Sequence, residues 1–478
     1  MHPNETHEPT SLDALSLPTQ PAFSMPPRRG YLRPQYVEQF RCIAAACEDT
    51  CCQGWSVPID QATYEKYTAI ETMKPHLGTI IVPNPKGAKR SDFARISTTS
   101  TSACFFLDEE RLCTIQKQLG PSLLSTTCAD YPRSIAINSS VEERSLSLSC
   151  PEAARLTLLH GNLLGIPQPN VPWRATSSER YAAIFQEIQR FQQQAERRAD
   201  NLSSPSEPAP DELIRYDPLL ATREFALLLL TDRSYPIWQR LLLLGTVARQ
   251  LQTLSPGGSE AAFAAEHPAT VAQLLADSAS VVSQDKLRAV MDEVELQPAE
   301  QLPLILDLLR QRIAQPPISP RFLECLQDFE TGLGCATATS EAQILATFTD
   351  AYRRYLRPLL ERHPHLLENY LANYVFRNNY PFGKPSDQAP SEGAAERTDA
   401  GNEHMLLCVQ LALLQTVLVG MAAHHREAFD CAHVVKLVQS LAKTVEHSKP
   451  FLRQITDFVA QRNLNNLRGI ALLLKPND

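Results

Sequence analysis

Eight of the twelve cysteines fall within the first 150 residues of this 478-residue chain: Cys42, Cys47, Cys51, Cys52, Cys104, Cys113, Cys128 and Cys150. The other four, Cys325, Cys335, Cys408 and Cys431, are scattered through the remainder. A segment this rich in thiols either builds disulfides in an oxidising compartment or ligates a soft metal in a reducing one. The stretch from Met1 to Pro27 is polar and rich in Pro, Ser and Thr, with no charged region followed by an apolar one, so it does not read as a secretory leader. A cytoplasmic location is expected on that ground, and with it thiols that hold a metal.

The spacing narrows the kind of metal. The first group is Cys42-x4-Cys47-x3-Cys51-Cys52, the second Cys104-x8-Cys113-x14-Cys128, and Cys150 stands alone. Zinc takes four ligands, usually from two tight C-x2-4-C knuckles. Cys47 and Cys51 satisfy one knuckle, and no second tight knuckle exists among the remaining cysteines. A [4Fe–4S] cluster also takes four thiolates and tolerates a distant ligand. The irregular spacing favours the cluster, with zinc as the alternative and buried thiols that bind nothing as the plain reading. Which four of the eight serve as ligands stays open. The C-x3-C-x2-C cradle of radical enzymes that use S-adenosylmethionine is absent in its usual form, because Gly54 stands where the third cysteine belongs.

Composition excludes other classes. The net charge of -8 comes with no basic stripe, which argues against a nucleic-acid partner. Met405 to Ala423 is free of charge but contains Gln410, Gln415, Thr416 and Gly420; it reads as a buried helix, and no membrane is expected.

Residues 1–30 read as a disordered tail. Residues 31–170 are punctuated by Pro58, Pro75, Pro83, Pro85, Pro121, Pro132 and Pro151, and read as an irregular, metal-centred domain with short helices. Residues 171–478 read as a large helical domain, with linkers near 203–212 and 384–402. Apolar residues at helical spacing, beginning with Tyr181, Ile184, Phe185 and Ile188, are followed by two strongly apolar segments, Phe225–Leu230 and Ile237–Leu251, and then by further helical candidates at 259–282, 284–294, 300–314, 320–331, 340–361, 364–378, 404–424, 428–446 and 448–462. The expected fold class is therefore mainly α: an irregular cysteine-cluster N-terminal domain packed on a large helical C-terminal one.

With these residues in view, the chain resembles the flagellin lysine-N-methylase family of bacteria. The words that carry the resemblance are CIAAACEDTCCQGW from Cys42, the segment Cys104 to Cys113, TCADYPR around Cys128, SLSCPEAARL around Cys150, ENYLANYVFRNNYPF at 368–382 and TVEHSKPFL at 444–452. The cysteine-bearing half is also similar to zinc- or iron-chelating cysteine-cluster domains. The resemblance implies methyl transfer to the ε-amine of lysines on flagellin, with S-adenosylmethionine as donor. No glycine-rich loop follows a recognisable strand, so a doubly wound methyltransferase fold is not expected.

Such a reaction needs a neutral amine, although a free lysine is almost wholly protonated near pH 7. Desolvation, a proton acceptor and alignment are the requirements. Asp49, Asp130, Tyr131 and Arg133 are the catalytic candidates, with Glu48, Asp60 and Asp108 also near the thiols. Trp55 offers a face to a cation, and Arg133 a guanidinium to the donor carboxylate. Asn373 and Arg377, on a helix face with Asn369, Tyr370, Tyr374 and Asn378, are further cofactor-binding candidates. Each has a plainer alternative: Asp49 capping a turn, Asp130 capping the bend before Pro132, Trp55 in a core, and the Asn/Tyr face bonding between helices. A non-catalytic iron- or zinc-binding, redox-sensitive protein is the alternative to the enzyme.

Overall fold

The computed structural model describes residues 31–32, 34–85, 89–100, 102–138, 141–161, 218–254, 268–283, 288–292, 294, 298–383 and 399–476. The expected tail 1–30, the helix expected around Tyr181 and the linker 203–212 lie outside these residues. The chain is mainly α, as its periodicity indicates.

The N-terminal part holds more regular structure than its proline content suggests. Its elements are β1 (Tyr31–Leu32), α1 (Gln35–Gln39), β2 (Pro58–Ile59), α2 (Gln61–Thr68), β3 (Ile81–Pro83), β4 (Ala94–Ile96), α3 (Thr114–Leu119), α4 (Thr126–Asp130), β5 (Arg133–Asn138), β6 (Val141–Leu146) and α5 (Pro151–Leu158). They form two three-stranded sheets, β1-β6-β5 and β2-β4-β3. The prolines mark starts and ends of these elements. Pro58 opens β2, Pro83 closes β3 and Pro151 is the first residue of α5. Proline loses nothing at such places, where its missing N–H has no partner to give up.

The helical part comprises α6 (Pro218–Leu230), α7 (Ile237–Leu254), α8 (Pro268–Ser283), α9 (Arg288–Asp292), α10 (Pro298–Ile313), α11 (Pro320–Leu333), α12 (Glu341–Ala351), α13 (Arg357–Arg362), α14 (His365–Arg377), α15 (Ala400–His425), α16 (Cys431–Leu441), α17 (Lys449–Gln461) and α18 (Leu467–Leu474). π-helical turns at Tyr352–Leu356 and Ala442–Glu446 extend α12 and α16. The N-terminal end of α15 shortens the expected linker 384–402, since Ala400 is already helical. The helix expected from 428 begins at Cys431, because Arg426–Ala428 form a 3-10 turn and Asp430 is the cap of α16. Helix α18 is an addition to the expected set.

Helix α15 organises this body. It is apolar on all sides, and 94% of its most apolar window is buried. A helix without a polar face must be surrounded. Helices α7, α11, α12, α16, α17 and α18 all pack against it. It is long and apolar enough to cross a membrane by length and composition, and here its surface is covered by protein.

The apolar core falls into two clusters. The larger joins the helical body to Tyr36, Val37 and Phe40 of the N-terminal part, and to Leu146, Leu148, Ala153, Ala154 and Leu158. The smaller lies wholly within residues 52–128, around Val57, Ile59, Tyr67, Ile81, Ile96, Phe106 and Ile115. The segments flanking the thiol-rich region are thus built into the helical body, and the thiol-rich region has its own small core.

Helices α11 and α15 approach closely at two glycines. A Cβ on Gly332 would lie 2.0 Å from the Gly420 carbonyl oxygen and 2.6 Å from the His424 nitrogen. Both neighbours are backbone and cannot swing aside. Gly332→Ala is therefore expected to destabilise the fold by about 1–3 kcal/mol through overpacking, read as a lower urea midpoint with unchanged slope.

Candidate functional site

Five thiols, Cys51, Cys52, Cys104, Cys113 and Cys128, line one cavity in the small core. Apolar walls come from Val57, Ile59, Ile96, Phe106, Ile115 and Leu124, and Trp55, Tyr67, Ser125 and Tyr131 complete the lining. Short backbone links bring these distant cysteines together. The Cys104 N–H donates to the Cys52 carbonyl at 2.7 Å, and the Gly54 N–H to the Ser102 carbonyl at 2.8 Å. Gly54 has φ +93°, a conformation that a side chain strains, so the turn after the vicinal pair depends on glycine. Leu107 bridges to Cys113, folding the 104–113 loop back on itself. Ser125 caps α4 by accepting from the Cys128 N–H at 3.3 Å.

The thiols feel one another. Cys51 Sγ and Cys52 Sγ lie 3.9 Å apart. The Cys52 thiol sits between Cys51 and Cys113 and is held strongly in its protonated form by hydrogen bonding to them. Its hydrogen bond is the main cause that lowers Cys113 to about 6, assisted by the Ile115 and Gln116 N–H groups at the start of α3. Burial pushes Cys104 up to about 11 and Cys128 up to about 12. The other three thiols adjoin this group through Cys51. Burial raises Cys150 to about 12, and neighbouring Cys47 and Cys51 add to the rise. Cys47 in turn feels Cys42. None of the twelve cysteines is in a disulfide.

The donor set fits an inorganic centre: soft ligands gathered in one cavity with largely apolar walls. Four sulfurs about 2.3 Å from one zinc lie roughly 3.8 Å from each other. Among the described residues, no three thiol sulfurs lie within 4.8 Å of one another.

The helical body clamps this region. Asp49 Oδ1 and Oδ2 each accept from Lys443 Nζ at 2.9 Å. Gln439 Nε2 donates to Asp49 Oδ2 at 2.8 Å, and the Thr50 N–H to Oδ1 at 2.8 Å. Burial opposes the charge on Asp49, but Lys443 and these donors hold the carboxyl below its usual value. The π turn at the end of α16 presents Lys443 on one side and Glu446 on the other; such turns re-aim side chains within a helix. Glu446 faces Arg377 at 3.3 Å. Just beyond, His447 Nε2 lies 2.9 Å from Ser149 Oγ, which is 3.0 Å from the Tyr131 hydroxyl.

The expected site residues are thus distributed unevenly. Trp55 and Tyr131 line the thiol cavity, and Trp55 Nε1 donates to the Cys51 carbonyl at 2.7 Å. Burial pushes the Tyr131 phenol well above its ordinary value, so it stays neutral. Asp49 is adjacent but committed to Lys443. Asp130 is exposed at the end of α4 and does not line the cavity. Arg133 is exposed and lies 5.0 Å over the Phe40 ring. Asn373, expected to contact a donor molecule, has another task. Its Oδ1 accepts from the Tyr36 hydroxyl at 2.7 Å and its Nδ2 donates to the Leu146 carbonyl at 3.2 Å, within the core. Asn369 likewise donates to the carbonyls of Thr157, Leu158 and His160. Arg377 sits by Glu446, near Tyr36 and Tyr131. Ser149, Gln439 and Lys443 carry no signal in the sequence; their partners lie about 300–390 residues away.

Fold and site define a mainly helical protein carrying a multi-thiol cavity. A family model described as the FliB lysine N-methylase C-terminal domain matches residues 223–473. The chain belongs to the FliB lysine N-methylase family. It is 33% identical over 144 residues to a lysine-N-methylase of Salmonella choleraesuis (strain SC-B67), covering 29% of this chain and 35% of that protein. It is 38% identical over 122 residues to the flagellar biosynthetic protein FliU of Salmonella muenchen, covering 25% of this chain and 71% of that one. The match thus spans about a third of the length of the lysine-N-methylase relative. No solved structure matches.

Asp60 gives a pH-dependent test of how the cavity is held. It caps α2 through the Thr63 N–H at 2.9 Å and reaches across to the Thr126 N–H and hydroxyl, each at 3.0 Å, tying α2 to the helix that bears Cys128. Burial opposes ionisation, but these donors lower its pKa to about 2. A lowered folded-state value means the contribution is full above the unfolded value of about 3.9 and is lost as pH falls toward about 2. Asp60→Ala should cost roughly 1 kcal/mol at pH 7, the usual worth of a cap. The difference from wild type should shrink between about pH 4 and 2, as measured by denaturant midpoints across that range.

Proposed function

We propose that this protein methylates the ε-amine of lysines on flagellin, in the cytoplasm, with S-adenosylmethionine as donor and a [4Fe–4S] cluster held by four of the five cavity thiols. The observation that carries the reading is the convergence of Cys51, Cys52, Cys104, Cys113 and Cys128 on one apolar cavity, in a chain of the lysine N-methylase family. The name FliU and the FliB description, both flagellar, support flagellin as the substrate.

A bound cluster would supply iron as a Lewis acid at the cavity. The chain's own residues supply the rest. The apolar walls from Val57, Ile96 and Phe106 disfavour a charged ammonium and so favour the nucleophilic amine. Trp55, pinned through its indole N–H, offers a ring face to a sulfonium or ammonium cation. Tyr131 keeps its proton and is oriented by Ser149, which His447 holds from the helical body. Asp49 acts by position: it holds the vicinal cysteines against the π turn through Lys443.

The test is methyl transfer by the intact protein, purified without oxygen and incubated with flagellin and S-adenosylmethionine, with methyl increments on lysine read by mass spectrometry. Cys128→Ser should reduce turnover by at least about 10–100-fold, the range seen when even indirect supports of a metal site are removed. Cys325→Ser, in the helical core and not among the cavity-lining residues, should retain activity. No methylation by wild type carrying its full complement of cofactor would overturn the reading in favour of a non-catalytic metal-binding protein.

A further inference from the structure

Away from the cavity thiols, at the C-terminal end of α15, a second group of ligand-type side chains converges. The geometry points to a binding site for one divalent transition-metal ion of the zinc class, formed by Asp328, His424 and His425.

Asp328 lies on α11; His424 and His425 are the last residues of α15. His425 Nε2 is 3.1 Å from Asp328 Oδ2, and His424 Nε2 is 3.8 Å from Oδ1. In a tetrahedral site with nitrogen and oxygen ligands about 2.0–2.2 Å from the metal, ligand atoms stand roughly 3.3–3.5 Å apart. The observed distances bracket that edge. Among the described residues, this is the one group of three His, Cys, Asp or Glu side chains whose ligand atoms all lie within 4.8 Å of one another.

The placement has a structural cause. The close crossing at Gly332 and Gly420 brings α11 against the end of α15, and Asp328 sits one turn before Gly332. The end of α15, the longest helix among the described residues, also carries a negative pole that favours a cation. The surroundings supply a second imidazole layer. The His433 ring lies 4.1 Å from that of His425, and its Nδ1 is 2.7 Å from Asp430 Oδ1. Asp430 thus engages Nδ1, and Nε2 is the His433 nitrogen not committed to that cap. The three ligands are partly exposed, so an ion can enter from solvent and keep water in the remaining position.

Bound metal cross-links α11 to α15, so it raises the melting temperature. The test is calorimetric titration of the full-length protein, with its thiol centre intact, using Zn2+ as the probe. It is run on wild type, Asp328→Asn and His425→Gln, with zinc-edge X-ray absorption on the loaded wild type. Wild type should bind one equivalent, with a rise in melting temperature. Its zinc should show nitrogen and oxygen neighbours at about 2.0–2.1 Å. Each variant, folded as judged by circular dichroism, should lose at least about tenfold in affinity along with the thermal shift. Equal binding by the variants, no binding by wild type, or a sulfur shell at about 2.3 Å would overturn the site. None of these outcomes depends on whether the protein methylates flagellin.

Discussion

The buried ion pair between Asp49 and Lys443 joins the two chemically different parts of this chain. Asp49 precedes the vicinal cysteines by two residues, and Lys443 sits on the π turn that ends α16. Their side chains are 6% and 12% exposed, so neither charge is satisfied by water. Removing one partner of such a pair typically costs about 3–5 kcal/mol, because the other is left charged and buried. Gln439 reinforces the contact by donating both to Asp49 and to the Ser149 carbonyl. The Arg377–Glu446 pair and the His447–Ser149–Tyr131 chain follow the same seam. The thiol cavity has a small core of its own, and these contacts fix how its rim meets the helical body.

Much of the helical body was legible because its cause is local. Helices α11 and α17 have apolar residues at the spacing that buries one face, and their ends fall within two residues of the sequence reading. The sheets of the N-terminal part were not legible. Their strands are two to six residues long, too short to display a period, and their prolines resemble loop markers. One clue was available. In the run Ser145–Leu146–Ser147–Leu148–Ser149 every residue is buried, serines included, as expected of backbone covered on both faces.

The site was legible in its thiols and illegible in its supports. Cysteine is scarce enough that eight in one region demand an explanation, and five of them line one cavity. Asn373 and Arg377 drew attention because amide and charged groups are unusual on a buried helix face. The structure gives them partners in Tyr36, Leu146 and Glu446 instead of an open pocket wall. Lys443 and Gln439 look like ordinary surface residues of an amphipathic helix. Only the fold reveals that the solvent face of that helix is covered by a loop nearly 400 residues earlier.

The most direct test of the account is the metal and sulfide content of the full-length protein purified under strict exclusion of oxygen, read beside its visible absorption. One centre gathered by the cavity thiols requires about four iron and four inorganic sulfide per chain, with a broad iron–sulfur absorption. A colourless protein with neither iron nor sulfide, or one whose thiols hold a lone zinc ion, would contradict it.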